Sequence, residues 1–288
     1  MKVRCPREPF LAALQSGAAV VPSRSPKPVL TNVKFEAGRE DVDRAVAAPR
    51  AAFPRWSRLP GTQRARYVFR IARILQERAR EFAGLETLDN GKPIKETRDV
   101  DVPLVAAHFF YHAGWADKLE HLAPGRKVAP LGVVGQVIPW NFPLLMLAWK
   151  IAPAIALGNT SVLKPAELTP LSALRLGELA LLAGLPEGVL NIVPGFGTEA
   201  GEALIRHPGV DKIAFTGSPQ VGKHIMRTAA EDCKRITLEL GGKSANIVFA
   251  DADLSASVKA STSGIFFNAG QVCSAGSRIL VARPIYED

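Results

Sequence analysis

Short apolar runs alternate with longer helical patterns between residues 132 and 240, and this alternation limits the possible fold more than any other feature of the sequence. Runs of strand length lie at 132–138, 160–163, 189–193, 212–215 and 235–240. Helical patterns separate them at 144–156, 171–183, 199–205 and 221–230. Strands and helices that alternate at this spacing form right-handed βαβ units. We therefore predict an α/β fold with a parallel sheet and helices on both faces.

Composition and charge place the chain among globular proteins that do not bind nucleic acid. Its 288 residues are 47% hydrophobic and 22% charged, which is enough apolar sequence for one large or two modest domains. The net charge is +9, and residues 1–130 carry 23 Lys and Arg against 14 Asp and Glu. Between residues 55 and 80 the arginines alternate with apolar positions at helical spacing, which is typical of the solvated face of an amphipathic helix. We predict no nucleic-acid partner.

Two segments imitate a targeting or membrane signal without meeting its requirements. Residues 10–21 follow basic residues as in a signal peptide, but Gln15, Ser16 and Gly17 interrupt the apolar core. Residues 133–157 are long enough to cross a bilayer, yet they contain residues that a lipid-facing helix does not tolerate together, namely Pro139, Asn141, Pro143, Lys150 and Pro153. We expect a buried strand, loop and helix there, and no membrane partner.

Cysteine and histidine spacing argues against a disulfide scaffold and a metal site. The three cysteines, Cys5, Cys233 and Cys273, form no CxxC pair. His108 and His112 have the i, i+4 spacing of some metal sites, but no carboxylate motif accompanies them. We therefore predict no bound metal and a reducing, cytoplasmic location.

The N-terminal part departs from the regular pattern. Residues 1–36 are rich in Pro, Arg, Ser and Ala without steady periodicity, and we predict a poorly ordered arm. An acid-rich helix start follows at Glu40. Pro49 falls where that helix should continue, and an interior proline typically costs about 3 kcal/mol or kinks a helix.

Cys273 is the candidate nucleophile. It lies in a loop of small and polar residues, after an apolar segment and before a strand-like run, where a reagent could reach its thiol. A lone cysteine is more often a small buried hydrophobe. Glu239 favours the catalytic interpretation of Cys273. It stands inside an apolar strand immediately before paired glycines, where burying a carboxylate is costly unless the carboxylate has a function.

Three further segments have nucleotide-binding features, each with an ordinary alternative. Lys164 and Glu167 end a strand and could hold the two hydroxyls of a ribose, or form a surface ion pair. Ser218 opens a helix, where it could face a phosphate or simply cap the helix. The glycines at 195, 197 and 201 do not make a GxGxxG fingerprint, since the third comes one residue late.

Five motifs in chain order resemble the aldehyde dehydrogenase family, over roughly Arg39 to the C-terminus. They are Pro139-Trp140-Asn141-Phe142-Pro143, Lys164-Pro165-Ala166-Glu167, Phe215-Thr216-Gly217-Ser218, Glu239-Leu240-Gly241-Gly242-Lys243 and the loop Phe266 to Arg278 around Cys273. The resemblance implies a variant Rossmann fold, a doubly wound parallel sheet, as an NAD-binding domain over residues 37–240. It implies that residues 241–288 begin a second α/β catalytic domain whose remainder is absent.

The resemblance also implies the site residues and their roles. Cys273 adds to an aldehyde, the Asn141 amide and the Cys273 N–H stabilise the alkoxide, and a partly desolvated Glu239 of raised pKa activates water. Lys164 joins these as a catalytic residue. The cofactor-binding residues are Ile138, Pro139, Trp140, Asn141, Lys164, Glu167, Gly197, Thr198, Gly217, Ser218, Glu239, Leu240 and Gly241. Glu167 favours NAD, because a 2′-phosphate would meet its charge, although NADP stays possible.

Two interpretations of activity remain open at this point. One is an enzyme that oxidises a small-molecule aldehyde to a carboxylic acid. The other is a catalytically silent fragment that binds nucleotide, or that associates with itself or with a missing C-terminal half. Without that half, we expect the side chains of Phe266, Phe267, Ile279, Leu280 and Val281 to expose apolar surface.

Overall fold

The computed structural model describes residues 37–122, 124–126 and 128–287. The predicted arm, residues 1–36, lies outside the described residues. The helices are α1 Arg39–Arg58, α2 Gly61–Glu77, α3 Ala79–Asn90, α4 Ile94–Glu96, α5 Val102–Trp115, α6 Leu119–Leu122, α7 Pro143–Ala156, α8 Leu171–Leu182, α9 Glu202–Arg206, α10 Pro219–Glu231 and α11 Leu254–Phe266. π-Helical turns span Thr97–Asp101 and Gly197–Gly201, and 3-10 turns span Phe267–Gly270 and Arg283–Ile285.

Five strands form a doubly wound parallel sheet. They are β1 Val133–Val137, β2 Thr160–Lys164, β3 Leu190–Ile192, β4 Lys212–Gly217 and β5 Arg235–Leu240. The spatial order is β3-β2-β1-β4-β5, and every neighbouring pair is parallel. The chain therefore builds outward from β1 to β3 and then returns to add β4 and β5 on the other side. The predicted α/β class and doubly wound sheet are confirmed, and β1 lies beside the point where the strand order reverses.

Two apolar cores cover the two faces of this sheet. Successive strand residues point to opposite faces, so Val162 belongs to one core and Leu163 to the other. The larger core is built with residues of α2, α3, α5, α7 and α8, and the smaller one with residues of α9 and α10. Helix α1 contributes to both, with Trp56 in the larger core and Val42 and Val46 in the smaller. Burial on both faces explains why the central strands β1 and β2 read as apolar runs in the sequence, whereas β5 at the edge of the sheet is exposed on one face.

Helix α1 continues through two prolines, Pro49 and Pro54, although an interior proline destabilises or kinks a helix. Pro49 is buried, and its carbonyl accepts a hydrogen bond from Thr160 Oγ1 at 3.1 Å. Val42, Val46 and Trp56 of the same helix are also buried. Packing against the sheet therefore holds a helix that intrinsic propensity alone disfavours.

Residues 241–287 form a smaller unit with little interior. Strands β6 Ala245–Val248 and β7 Arg278–Val281 pair in parallel as a second sheet. Helix α11 contains no buried residue. Among the described helices, none combines the length and the apolar character needed to span a membrane.

Candidate active site

The carboxyl ends of the parallel strands meet at one edge of the five-stranded sheet, where folds of this class bind nucleotides. Four of these ends carry residues that the sequence predicts as cofactor ligands: Ile138 to Asn141 after β1, Lys164 and Glu167 at the end of β2, Gly217 and Ser218 at the end of β4, and Glu239 to Gly241 at the end of β5. The order of the strands in the sheet therefore brings together residues that lie far apart in sequence.

Lys164 is a buried cation beside a carboxylate and a glycine turn. Its side chain is 2% exposed, and its Nζ lies 3.2 Å from Glu167 Oε2. Burial lowers the pKa of Lys164, and the Glu167 carboxylate opposes that shift. A Cβ added at Gly201 would lie 3.6 Å from Lys164 Cδ, so the turn that begins with Gly197 and Thr198 packs against the lysine stem. Because the Lys164 side chain is buried, its pair with Glu167 differs from the surface ion pair that was the alternative interpretation of the sequence.

Ser218 is the N-cap of α10. Its Oγ accepts the Val221 N–H at 3.3 Å, so the ordinary capping role is present. The cap uses the hydroxyl oxygen as an acceptor, and the hydroxyl hydrogen remains available as a donor. Gly217 precedes it, and a Cβ there would lie 2.4 Å from the Phe215 ring. A side chain at position 217 would clash with the Phe215 ring, which explains the glycine there.

Asn141 connects the loop after β1 to the cysteine segment. Its Nδ2 donates to the Gln271 carbonyl at 2.7 Å, across 130 positions of sequence. Phe142, the next residue, stacks on Phe267 with ring centroids 6.3 Å apart. The structure therefore brings the predicted oxyanion donor within two residues of the predicted nucleophile, Cys273.

Cys273 is exposed and forms no disulfide. The segment that holds it also contacts the end of β5, because a Cβ added at Gly242 would lie 3.5 Å from the Cys273 carbonyl oxygen. Arg278 strengthens this contact through its Nε, which donates to the Lys243 carbonyl at 2.9 Å. The cysteine segment thus touches both the Asn141 loop and the end of the strand that carries Glu239.

Glu239 lies on β5 opposite Thr216 of β4. Its side chain is exposed, so the expectation of a partly desolvated carboxylate is wrong in this structure. The reason is that residues 241–287 leave that side of β5 uncovered. Lys150 of α7 donates to Thr216 Oγ1 at 2.6 Å, and burial lowers its pKa to about 8 against the attraction of Glu239. The sequence did not predict that a cation would lie near Glu239. Lys150 was noted only as a residue that a lipid-facing helix does not tolerate.

Lys164 lies far from Glu239 within the sheet. It is on β2, which is separated from β5 by β1 and β4. Three strand spacings amount to roughly 14 Å. Lys164 is closer to the Asn141 loop, since its carbonyl accepts the Ile138 N–H at 3.2 Å, and its charged partner is Glu167.

A buried polar cluster beneath the Asn141 loop was also missed. Lys92 pairs with Asp101 at 2.7 Å, both almost fully buried, and its ammonium lies 4.2 Å from the centre of the Phe142 ring. Glu86 accepts the Leu144 N–H at 3.1 Å, and burial raises the pKa of Glu86 to about 7. In the sequence, the turn around Lys92 resembles a helix cap. Lys92 and Asp101 are nine residues apart, and this spacing does not predict that they form an ion pair.

Among residues 37–122, 124–126 and 128–287, no group of three or more His, Cys, Asp or Glu side chains is placed to hold a metal ion. The His108 and His112 rings stack 6.2 Å apart on α5, and burial lowers the pKa of both. Their nearest aromatic neighbours, Tyr111 and Trp149, are exposed.

Comparison with known proteins connects this site to one family. The family model described as "Aldehyde dehydrogenase family" matches residues 15–288. The match begins before Arg39, so the resemblance reaches further toward the N-terminus than the motifs indicated. The mitochondrial aldehyde dehydrogenase of Leishmania tarentolae is 49% identical over 288 residues, covering 97% of this chain and 58% of that protein. Human retinal dehydrogenase 2 is 50% identical over 265 residues, covering 88% and 51%.

Solved structures agree with the sequence relatives. An aldehyde dehydrogenase from Bacillus cereus, solved as an NAD+ complex, superposes with a TM-score of 0.84 at 47% identity, covering 88% of this chain and 53% of that one. Betaine aldehyde dehydrogenase from Staphylococcus aureus gives a TM-score of 0.83 at 43% identity, with 88% and 52% covered. The chain spans about half the length of the curated relatives it matches. With the family model matched over most of its length, this chain belongs to the aldehyde dehydrogenase family.

Proposed function

We propose that this chain carries the cofactor site and the nucleophile for oxidation of an aldehyde to a carboxylic acid, with NAD as the hydride acceptor. The observation that carries the proposal is the double contact of the cysteine segment. It meets the Asn141 amide through Gln271 and the end of the Glu239 strand through Gly242. A nucleophile, an oxyanion donor and a base are the groups that thioester chemistry requires.

The residues at the carboxyl edge of the sheet fit a dinucleotide. Lys164 and Glu167 would hold the adenosine ribose, with one cationic donor and one carboxylate acceptor for its two hydroxyls. Gly197 has open space where a Cβ would stand, and Ser218 opens α10, whose N-terminal N–H groups favour a phosphate. When bound, NAD supplies the acceptor for the hydride that the substrate carbon loses as a thioester forms.

The first half of the reaction needs two groups of this chain. The Cys273 thiolate donates an electron pair to the aldehyde carbon, a carbon–sulfur bond forms and the carbonyl oxygen becomes an alkoxide. The Asn141 amide has two N–H donors, of which one is used by the Gln271 carbonyl. The second N–H, with the Cys273 N–H, would donate to the alkoxide. One such donor typically contributes 10²–10³ in rate.

The second half hydrolyses the thioester. Glu239 takes a proton from water, the hydroxide oxygen bonds to the acyl carbon, and the carbon–sulfur bond breaks to return the Cys273 thiolate and release the carboxylic acid. The buried Lys150 ammonium lies within electrostatic range of the Glu239 carboxylate, whose charge opposes the lowering of the Lys150 pKa by burial. A glutamate in this role also distinguishes hydrolysis from transfer of the acyl group to a thiol acceptor.

A second candidate function is nucleotide binding without turnover. It is favoured by one observation, the exposed apolar side chains of α11, β6 and β7, which leave the nucleophile segment supported on one side only. In this case a second copy of this chain or a partner polypeptide would cover these exposed apolar side chains.

The test separates the two candidates by intact mass. Wild-type chain, Cys273→Ala and Glu239→Gln are mixed with NAD and a short aliphatic or an aromatic aldehyde. We expect an acyl adduct to accumulate on Glu239→Gln and on no protein that lacks Cys273. Equal NAD binding by all three proteins, with no adduct on any, would support the silent fragment and reject the enzyme.

A further inference from the structure

Asn268 is a buried polar residue that lies between the two loops of the candidate site. It is fully buried and has a left-handed backbone, with φ +52°. Its Nδ2 donates to the Asn141 carbonyl at 2.9 Å and to the Gln271 carbonyl at 3.2 Å. Its own backbone N–H donates to Glu96 Oε2 at 2.8 Å. The Asn268 side chain therefore joins the Asn141 loop to the cysteine segment, and the Asn268 backbone N–H ties both to Glu96 in the helical part of the chain.

The chemistry of these contacts selects an asparagine. Both partners of the side chain are carbonyl oxygens, which only accept, so the NH₂ group must face them. Aspartate would place an acceptor there, and glutamine would overreach by one methylene. Asparagine also tolerates the left-handed backbone better than any residue except glycine.

The Gln271 carbonyl is shared by two amides. It accepts from Asn141 Nδ2 at 2.7 Å and from Asn268 Nδ2 at 3.2 Å, which uses both of its lone pairs. This shared acceptor fixes the plane of the Asn141 amide, and hence the direction of its second N–H. Because Gln271 stands two positions before Cys273, the same contact fixes the nucleophile segment relative to that N–H.

We propose that Asn268 is a positioning residue, which sets the Asn141 amide and Cys273 in the relative placement that alkoxide stabilisation needs. The proposal rests on the proposed function. Asn268 acts through Asn141, so its loss lowers turnover by a larger factor than it weakens binding of the cofactor to the Asn141 loop. Misplacing a reacting group by about 1 Å costs on the order of 10²-fold in rate.

The decisive variant is Asn268→Gly, which removes the carboxamide and keeps a backbone able to adopt φ +52°. Ala269→Gly is the matched control, because Ala269 is the exposed neighbour with φ +54° and its side chain holds neither loop. We expect Asn268→Gly to lower kcat for NADH formation by about 10- to 100-fold, with a much smaller effect on KM for NAD. Ala269→Gly should stay within twofold of wild type.

A double-mutant cycle tests whether Asn268 acts through Asn141. In an Asn141→Ala background, Asn268→Gly should lower kcat by less than a further twofold. A full additional loss in that background, or an Asn268→Gly chain with wild-type kcat, would overturn the proposal. Should Asn268→Gly not fold, Glu96→Ala removes the acceptor of the Asn268 N–H, and kcat is expected to fall several-fold with a smaller effect on KM for NAD.

Hydrogen exchange decides the proposal even if the wild-type chain makes no NADH, an outcome that would reject the proposed function alone. Loss of the Asn268 carboxamide should accelerate amide exchange several-fold in both segment 139–146 and segment 268–275. Faster exchange confined to 268–275, with 139–146 as in wild type and in Ala269→Gly, would show that Asn268 does not hold the Asn141 loop.

Discussion

Residues 37–240 and residues 241–287 contain the same kinds of elements but differ in what those elements pack against. In the first region, helices cover both faces of the sheet and two apolar cores form. In the second, among the residues described, only Val248, Asn268 and Ala275 are buried, and α11 buries nothing. Regular hydrogen bonding therefore suffices to define strands and a helix, whereas an interior requires a second layer.

The exposed residues of the second region test an expectation from the sequence. Phe266, Ile279 and Leu280 are exposed, as predicted, with Phe266 at 70%. The same expectation was wrong for Phe267 and Val281, which are half-buried. Phe267 packs on the Phe142 ring, and Val281 pairs with Val248 in the second sheet. The nucleophile segment is therefore anchored to the first region through the Asn141 loop.

The largest expected difference between the regions comes from the same substitution made once in each. Ile151→Ala empties a fully buried position in the larger core and should lower the free energy of unfolding by about 2–5 kcal/mol. Ile279→Ala acts on a side chain that is 54% exposed and should change it by about 0.5 kcal/mol or less. Denaturant unfolding followed by tryptophan fluorescence measures both. Equal losses would mean that residues 241–287 share the core of the first region.

A buried carboxylate gives the first region a pH dependence. Burial raises the pKa of Glu86 to about 7 from an ordinary value of 4.5, so the folded chain binds more protons than the unfolded chain between these values. Stability from this group is therefore fully present below pH 4.5 and is lost as the pH rises through 7, by about 3 kcal/mol in total.

Glu86→Gln should flatten that decline, and the measurement is the free energy of unfolding at intervals from pH 4 to 8. In Glu86→Gln the free energy of unfolding should still fall as the pH rises, but by less, because burial also raises the pKa of Asp89 to about 6. A wild-type stability that rises between pH 5 and 7 by the same amount as in Glu86→Gln would contradict the assignment.

Cofactor preference should depend on the first region, which contains every predicted cofactor residue except Gly241. We expect NAD to bind at least about tenfold more tightly than NADP, a difference of about 1.4 kcal/mol, because the Glu167 carboxylate repels a 2′-phosphate. Glu167→Gln should narrow the ratio of the two dissociation constants, measured by titration calorimetry. An unchanged ratio would remove Glu167 from the ribose site.

The smallest expected change in stability comes from removing a helix cap, once in each region. Ser218 accepts the Val221 N–H at the start of α10, and Asp253 accepts the Ala256 N–H at the start of α11. Ser218→Ala should lower the free energy of global unfolding by about 1 kcal/mol, because α10 packs on the sheet. Asp253→Ala should accelerate amide exchange in α11 and leave global unfolding unchanged. Global losses of equal size in both variants would show that α11 unfolds together with the first region.

The sequence predicted the sheet because its central strands, β1 and β2, are buried on both faces and give an apolar signal. Cys273 and Glu239 were selected because each residue type is unusual for its local structure, whereas Asn141 was selected only through the resemblance to the aldehyde dehydrogenase family. The contacts of Lys150, of Glu86 and of Asn268 with Asn141 and Glu96 were not predicted, since pairing across 58 or more positions leaves no local pattern. The burial of Glu239 was overestimated, because burial depends on the layer that covers β5 and not on the strand itself.

We propose that the contacts between the cysteine segment and the first region assemble a working site. NADH formation tests this, followed at 340 nm for the purified chain with a short aliphatic and an aromatic aldehyde, beside Cys273→Ala. We expect NADH from the wild-type chain and none from Cys273→Ala, with equal NAD binding by both. Folded, NAD-binding wild-type chain that forms no NADH, or equal rates from both proteins, would contradict it.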